Sequence, residues 1–251
     1  MPLPRFHISP EELERDVLRI PDRELGHLAA RRIRTGDLVS LFDAKGAEAV
    51  ARVEGRQRNR VMVRVVDRPG PFSAPGPEAI LGLGLCRWER LRLAVEKATE
   101  LGAAEIRPLI TERSQPARPG LKDKLELAVI EALKQCRRSQ GPRLAPPQEM
   151  VLFLKDRSGA GLGLIMDRSG PPLAGLVAGR PGPVTLLAGP EGGFSPRELA
   201  RSRAAGFEPA ALSPAVLRTE TAALAGLTLV MSLMSGTEET GAPSLPAGRL
   251  S

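Results

Sequence analysis

The stretch "VTLLAGPEGGFSPRELA", Val184 to Ala200, decides the fold. Val184 to Ala188 is a continuous apolar run of strand length, the pattern of a strand covered on both faces. It feeds a turn that holds Gly189, Gly192 and Gly193 with a single carboxylate, Glu191. Ser195, Pro196 and Glu198 then supply a cap, a proline at the first helical position and an acid three after the cap, which together start a helix. Strand, glycine turn and helix in that order make one unit of an α/β sheet.

Turns of this kind usually hold a phosphate. A P-loop needs a lysine followed by a hydroxyl after its second glycine, and "GPEGGFSP" has neither. The spacing G-P-E-G-G also fails the dinucleotide fingerprint, and the capping box uses amides that a phosphate would need. What the loop does offer is backbone. Its glycines can adopt positive φ and admit a flat ligand, while Pro190 stiffens the entry. An uncharged or cationic ligand with an aromatic ring suits it; a tight structural turn with an exposed glutamate is the alternative reading.

Strand and helix patterns alternate on the N-terminal side of this unit as well. "AILGLGL" and "EIRPLI" read as strands, as does "GLGLIM". "WERLRLAVEKATELG" places Trp88, Leu91, Val95 and Ala98 in line and stops at Gly102, and "LKDKLELAVIEALKQCRR" does the same with Leu121, Leu125, Val129, Ala132 and Cys136. This alternation predicts an α/β region with a mainly parallel sheet over 71–235. The segment Asp67 to Glu78, rich in proline and glycine, is the predicted boundary. Before it, over 1–70, the pattern is β-rich: "DLVSLF", "AEAVARV" and "RVMVRVV" alternate or run apolar around a "DAKG" turn. "SPEE" at Ser9 to Glu12 is a second capped helix start, "DVLRI" after it alternates like a strand, and "RELGHLAARRI" reads as helical. Residues 236–251 are too polar and too rich in glycine and proline to pack, which predicts a disordered tail.

Composition narrows the function. With 251 residues, 42% of them apolar, the chain can build real cores, and its net charge of +7 points to a polyanionic partner, foremost a nucleic acid. Two distant cysteines, Cys86 and Cys136, and two histidines, His7 and His27, exclude a zinc site of paired-ligand spacing and argue against a disulfide scaffold. "MPLPRFHISP" lacks the apolar core of a signal peptide, and "AALAGLTLVMSLM" is short of the roughly 20 residues that span a bilayer. A cytoplasmic protein with no membrane association and no metal is therefore expected.

A second constellation lies in "LSPAVLRTETAALAGL", Leu212 to Leu227, where Arg218, Thr219, Glu220 and Thr221 precede an apolar helix. Thr219 or Thr221 would serve as its N-cap. An arginine and a glutamate flanking a threonine, in a chain so poor in histidine, is also a place for chemistry. "GPEGGFSPRE" paired with "LSPAVLRTETAA", and preceded by "VEKATELGAAEIRPLITERS", closely resembles the RsmE family of the SPOUT class, small-subunit ribosomal RNA methyltransferases that make N3-methyluridine. "GHLAARRIRTGDLVSLFDAKG" is similar to that family's N-terminal region, so the resemblance covers most of the chain.

The resemblance implies a small N-terminal PUA-like β-barrel that binds RNA and a C-terminal parallel-sheet domain with a deep trefoil knot. It implies S-adenosylmethionine as cofactor, a homodimer, and 16S ribosomal RNA or the assembled small subunit as partner. By motif match, Leu187, Ala188, Gly189, Pro190, Glu191, Gly192 and Gly193 form one cofactor loop and Leu212, Ser213, Pro214 and Leu217 another, with Met166 and Asp167 nearby. Glu191 would hold its loop or complement the sulfonium. The sequence departs from the family pattern at Ser213 and Ala215, at "KQCRRSQGP", which keeps Gln135, Cys136 and Arg138 but lacks the usual asparagine, and at "LCRWER", where a lysine and a glycine are common.

For methyl transfer to N3, Arg218 is expected to stabilise charge on the base and Glu220 to orient it or relay the proton; that both only brace the cofactor loop is the competing reading. N3 lies on the pairing edge, so the target must be unpaired or extruded. With six Phe, one Trp and no Tyr, RNA binding should rest on arginine and phosphate and weaken with salt. Candidate contacts are Arg5, Arg31, Arg32, Arg34, the arginines from Arg56 to Arg68, Arg113, and Lys134 with Arg137 and Arg138. A non-catalytic RNA-binding module and a methyltransferase of another RNA, such as transfer RNA, are the alternatives.

Overall fold

The computed structural model describes residues 3–57, 60–70, 78–156 and 161–235. Arg58, most of the proline-rich boundary and the C-terminal tail lie outside the described residues.

The N-terminal part begins with β1 (Arg5–His7), α1 (Pro10–Leu13) and β2 (Val17–Arg19). Ser9 caps α1 as its pattern predicts, its side chain accepting from the Glu12 N–H. A 3-10 turn over Asp22–Glu24 leads into α2 (Leu25–Ala30), and β3 (Leu38–Phe42), β4 (Glu48–Gln57) and β5 (Arg60–Asp67) follow. They form a five-stranded sheet in the order β1-β3-β4-β5-β2, antiparallel except for the parallel β1–β3 pair. Alternation sets the faces: Val61 and Val63 of β5 enter a core with Phe6, Ile8, Ile20 and Leu41, while Arg60 and Arg64 point to solvent.

The second part reads β6 (Ala79–Gly84), α3 (Trp88–Leu101), β7 (Glu105–Ile110), α4 (Leu121–Cys136), β8 (Arg143–Leu144), β9 (Gln148–Glu149) and α5 (Met150–Asp156). It continues through β10 (Leu162–Met166), α6 (Leu173–Val177), β11 (Val184–Ala188), α7 (Pro196–Ala204), β12 (Phe207–Ala210) and α8 (Thr219–Ser235). Its seven strands are all parallel, in the order β12-β10-β11-β6-β7-β8, with β9 also on β7. The stretch "VTLLA" is β11, buried along its whole length between β10 and β6. Gly102 ends α3 at φ +94°, its N–H reaching the Ala98 and Thr99 carbonyls. Helix α8 packs against α3, α6, β6 and β11. Gly226 makes that approach possible, because a Cβ there would lie 2.7 Å from Leu186 Cδ2.

One capping expectation fails. Helix α8 begins at Thr219, so Thr219 and Thr221 both lie inside it; the Arg218 carbonyl accepts the Ala222 N–H, and Thr219 Oγ1 is buried without a hydrogen-bond partner among the described residues.

The two sheets are joined by polar contacts that also remove two residues from the RNA-facing set. Arg5 is 6% exposed; its guanidinium lies 4.7 Å over the Phe42 ring and reaches Glu48 at 3.4 Å and Ser139 at 3.3 Å. Burial lowers its pKa. Lys134 of α4 forms a buried ion pair with Glu24 at 2.7 Å. Neither side chain is free for a phosphate: both pin α4 and the segment after it to the N-terminal sheet. Two backbone bonds, Gly46 N–H to the Ser139 carbonyl and Gly141 N–H to the Ala44 carbonyl, complete the seam.

Candidate active site

At the carboxyl ends of β10, β11 and β12 the chain leaves three loops that enclose a cleft of about 280 Å³. One wall is Gly189 to Phe194, a second is Ala210 to Ser213 with Ala215 to Leu217, and the floor is Met166 with Asp167 and Arg168.

The glycine loop is held from several sides. Pro190 packs on Gly84, where a Cβ would come within 2.7 Å of the proline nitrogen. Gly193 takes φ +66° and its N–H bonds the Pro190 carbonyl. Ser195 and Glu198 make the predicted capping box, and the second Glu198 oxygen accepts the Glu112 N–H at 2.8 Å. Glu191 turns away from the cleft centre to α3: its Oε1 accepts the Arg87 N–H at 3.1 Å and lies 3.4 Å from Arg90 Nη1. Of the two roles expected for Glu191, this geometry serves the holding of the loop.

Arg90 also lies 3.9 Å from Glu220 Oε1, so one guanidinium stands between the carboxylates of the two motif loops. Glu220 is buried, and its Oε2 has no hydrogen-bond partner among the described residues. Arg218 is exposed, and its side chain makes no hydrogen bond or ion pair among the described residues, to Glu220 or otherwise. Cys86 sits beside this group. Burial, with Glu191 and Glu220 adding to it, pushes its thiol up to about 12, so it is neutral and no nucleophile at ordinary pH. On the cleft floor the Ser169 hydroxyl donates to Asp167 and holds that carboxyl below its ordinary range.

The structure brings together most of the predicted cofactor residues. Met166, Gly189, Pro190, Glu191, Gly192 and Gly193 line the cleft, as do Leu212, Ser213 and Leu217. Leu187 and Ala188 are instead fully buried in β11, and Pro214 is exposed beside the cleft without lining it. Ser213, at a departure from the family pattern, accepts the Ala215 N–H at 3.1 Å and so shapes its own loop. Arg113, expected on RNA, is exposed; it donates to the Gly192 carbonyl at 2.9 Å and packs on that glycine. The Arg138 guanidinium covers Gly102 at the end of α3. Arg31, Arg32 and Arg34 are exposed after α2. Sequence reasoning missed Arg90, which no local pattern distinguishes from the other arginines of α3, and Phe194, whose ring backs Gly189.

The RNA methyltransferase domain model matches residues 74–231. A ribosomal RNA small subunit methyltransferase E of Mycobacterium bovis is 32% identical over 234 residues, covering 87% of this chain and 88% of its own. The chain belongs to this methyltransferase family. Among solved structures of the family, the Neisseria gonorrhoeae enzyme bound to S-adenosyl methionine superposes with a TM-score of 0.83 at 26% identity, covering 92% of this chain and 98% of that one. A putative methyltransferase from Legionella pneumophila, also with bound S-adenosylmethionine, gives 0.81 at 28% identity over 92% and 98%.

Proposed function

We propose that this protein transfers a methyl group from S-adenosylmethionine to N3 of a uridine in small-subunit ribosomal RNA. The observation that carries the reading is the cleft at the carboxyl ends of β10, β11 and β12, walled by the two motif loops, whose Glu191 and Glu220 share Arg90. Its chemistry fits the cofactor. Gly189 lets the Phe194 ring pack directly on its backbone, since a Cβ there would lie 3.2 Å from that ring, and Phe194 with the glycine loop lines the cleft. Met166, Leu212 and Leu217 offer apolar surface, and the ionised Asp167 offers an acceptor to hydroxyl or ammonium groups.

The cofactor supplies a methyl group on sulfonium, with a good leaving group. The protein must place N3 in line with it, which is worth about 7–11 kcal/mol of barrier for a well-oriented pair. We assign Arg218 to the negative charge that grows on the base as the imide proton leaves, and Glu220, held by Arg90, to the acceptance of that proton. Burial of Glu220 with an unpaired oxygen supports this role.

Three further points belong to this reading. The division of labour is an RNA-binding barrel over 1–70 and a methyltransferase domain over 71–235. The insertion of β11 between β6 and β10, with α8 returning across to α3, supports a trefoil knot. Exposed Leu93 on α3 and Leu229 on the adjoining α8 support a homodimer. Among the described residues no helix is long and apolar enough to cross a membrane, and a cytoplasmic site of action follows from the proposed substrate.

Nucleoside mass spectrometry tests the function. Small subunits from cells lacking the gene should lack N3-methyluridine and regain it on treatment with the protein and S-adenosylmethionine. Subunits that gain no methyl group, or gain it at another atom, would overturn the reading.

A further inference from the structure

A second cavity, of about 180 Å³, opens beside the cofactor cleft at the carboxyl end of β6. Its walls are Leu85 to Glu89 at the start of α3 and the segment from Gln115 to Leu121 that follows β7. The two walls are stitched by the Gln115 N–H to the Leu85 carbonyl at 2.9 Å. Glu191 links cavity and cleft: it lines the cleft, and its carboxylate accepts the N–H of Arg87, a residue of the cavity wall, at 3.1 Å.

We propose that this cavity receives the extruded target uracil, with Trp88 as its stacking face. The proposal rests on the methyltransferase reading above and adds the seat of the acceptor base. Trp88 is half-buried, packed on one side against the core while lining the cavity with the rest, which presets an aromatic surface without a folding cost at binding. It is the only tryptophan in a chain without tyrosine, and it stands within one residue of the contact to the cofactor loop. Around it are groups suited to a uridine in a strand. The Gln115 side chain is exposed and offers an amide N–H to a uracil carbonyl. Arg87 and Arg118 are exposed cations with no side-chain ion pair among the described residues, placed to meet the phosphates on either side of an extruded nucleotide. The neutral Cys86 thiol on the inner wall adds no charge against a base.

Because Trp88 is the sole indole, its emission reports the contact directly. The full-length protein with S-adenosylhomocysteine is titrated with a short oligouridylate and with an abasic strand of equal length, binding being followed separately by anisotropy of a label on the strand. Quenching by the base-bearing strand alone is expected. Equal quenching by both strands, or none from a strand that binds, overturns the proposal. In a second arm Trp88→Leu should raise KM for unmethylated small subunits roughly 5- to 150-fold, the usual worth of one base–aromatic stack. The Kd for cofactor should stay unchanged, and Trp88→Phe should recover most of the loss. An unchanged KM in Trp88→Leu also overturns it. A wild-type protein that transfers no methyl group would instead sink the parent reading, while the emission titration would still decide whether Trp88 meets a base.

Discussion

Arg90 shows how much of this site depends on a residue that is not in either motif. It stands 3.4 Å from Glu191 and 3.9 Å from Glu220, so the glycine loop proposed to admit the cofactor and the helix that carries the proposed proton acceptor share one cation. Arg218, immediately before the first turn of the same helix, is left exposed. That difference separates the two catalytic assignments. Arg218→Ala should lower kcat by about 10²- to 10³-fold, as loss of one charge-stabilising group does, with cofactor Kd unchanged because Arg218 lies outside the cleft wall. Glu220→Gln should lower kcat by about 10²- to 10⁴-fold and leave the fold intact. Single-turnover methylation beside calorimetric titration of the cofactor checks both; an Arg218→Ala enzyme at full rate would return Arg218 to a bracing role.

At the scale of elements, the capping box was readable and its reach was not. Ser195, Pro196 and Glu198 announce α7 within four residues, and the structure has the reciprocal pair. Glu198 spends its other oxygen on the Glu112 N–H, 86 positions away, and so joins the start of α7, beside the glycine loop, to the exit of β7. No local rule can foresee such a bond. The long strands and helices were legible because apolar runs and 3.6-residue periodicity persist over several turns. Strands β8 and β9, of two residues each, carry no period, and the seven residues of α5 are too few to separate a buried helix from a strand. Ser195→Ala should therefore cost about 1 kcal/mol, the loss of a cap. Glu198→Ala should cost more, because it orphans the Ser195 and Glu112 amides at about 1–3 kcal/mol each. Urea denaturation of the two variants checks the order, and equal losses would show that the Glu112 bond contributes nothing.

For the whole molecule, the sequence's net positive charge spoke of a polyanion but could not say which cations are spent inside. Arg5 and Lys134 look like RNA contacts in sequence and are structural ties between the two sheets, since burial depends on partners more than 100 positions away. Lys134→Met should destabilise the protein by about 3–5 kcal/mol in urea, leaving Glu24 as a buried charge without its partner. The exposed arginines behave differently. Each phosphate contact releases counterions, so log K against log salt should steepen by about 0.7 to 0.9 per contact. Arg31→Ser and Arg34→Ser keep the backbone of their loop, whereas Arg32 sits at φ +53° and is left in place so that no backbone shift confuses the result. If this loop grips RNA, the double variant should bind with a slope shallower by up to about 1.4 to 1.8 and melt like the wild type. Arg5→Ala should do the reverse, losing stability while the slope of whatever remains folded stays the same. Equal slopes for the wild type and the Arg31/Arg34 variant would move the electrostatic footprint elsewhere, to the Arg52, Arg60 and Arg64 side chains on the solvent face of β4 and β5.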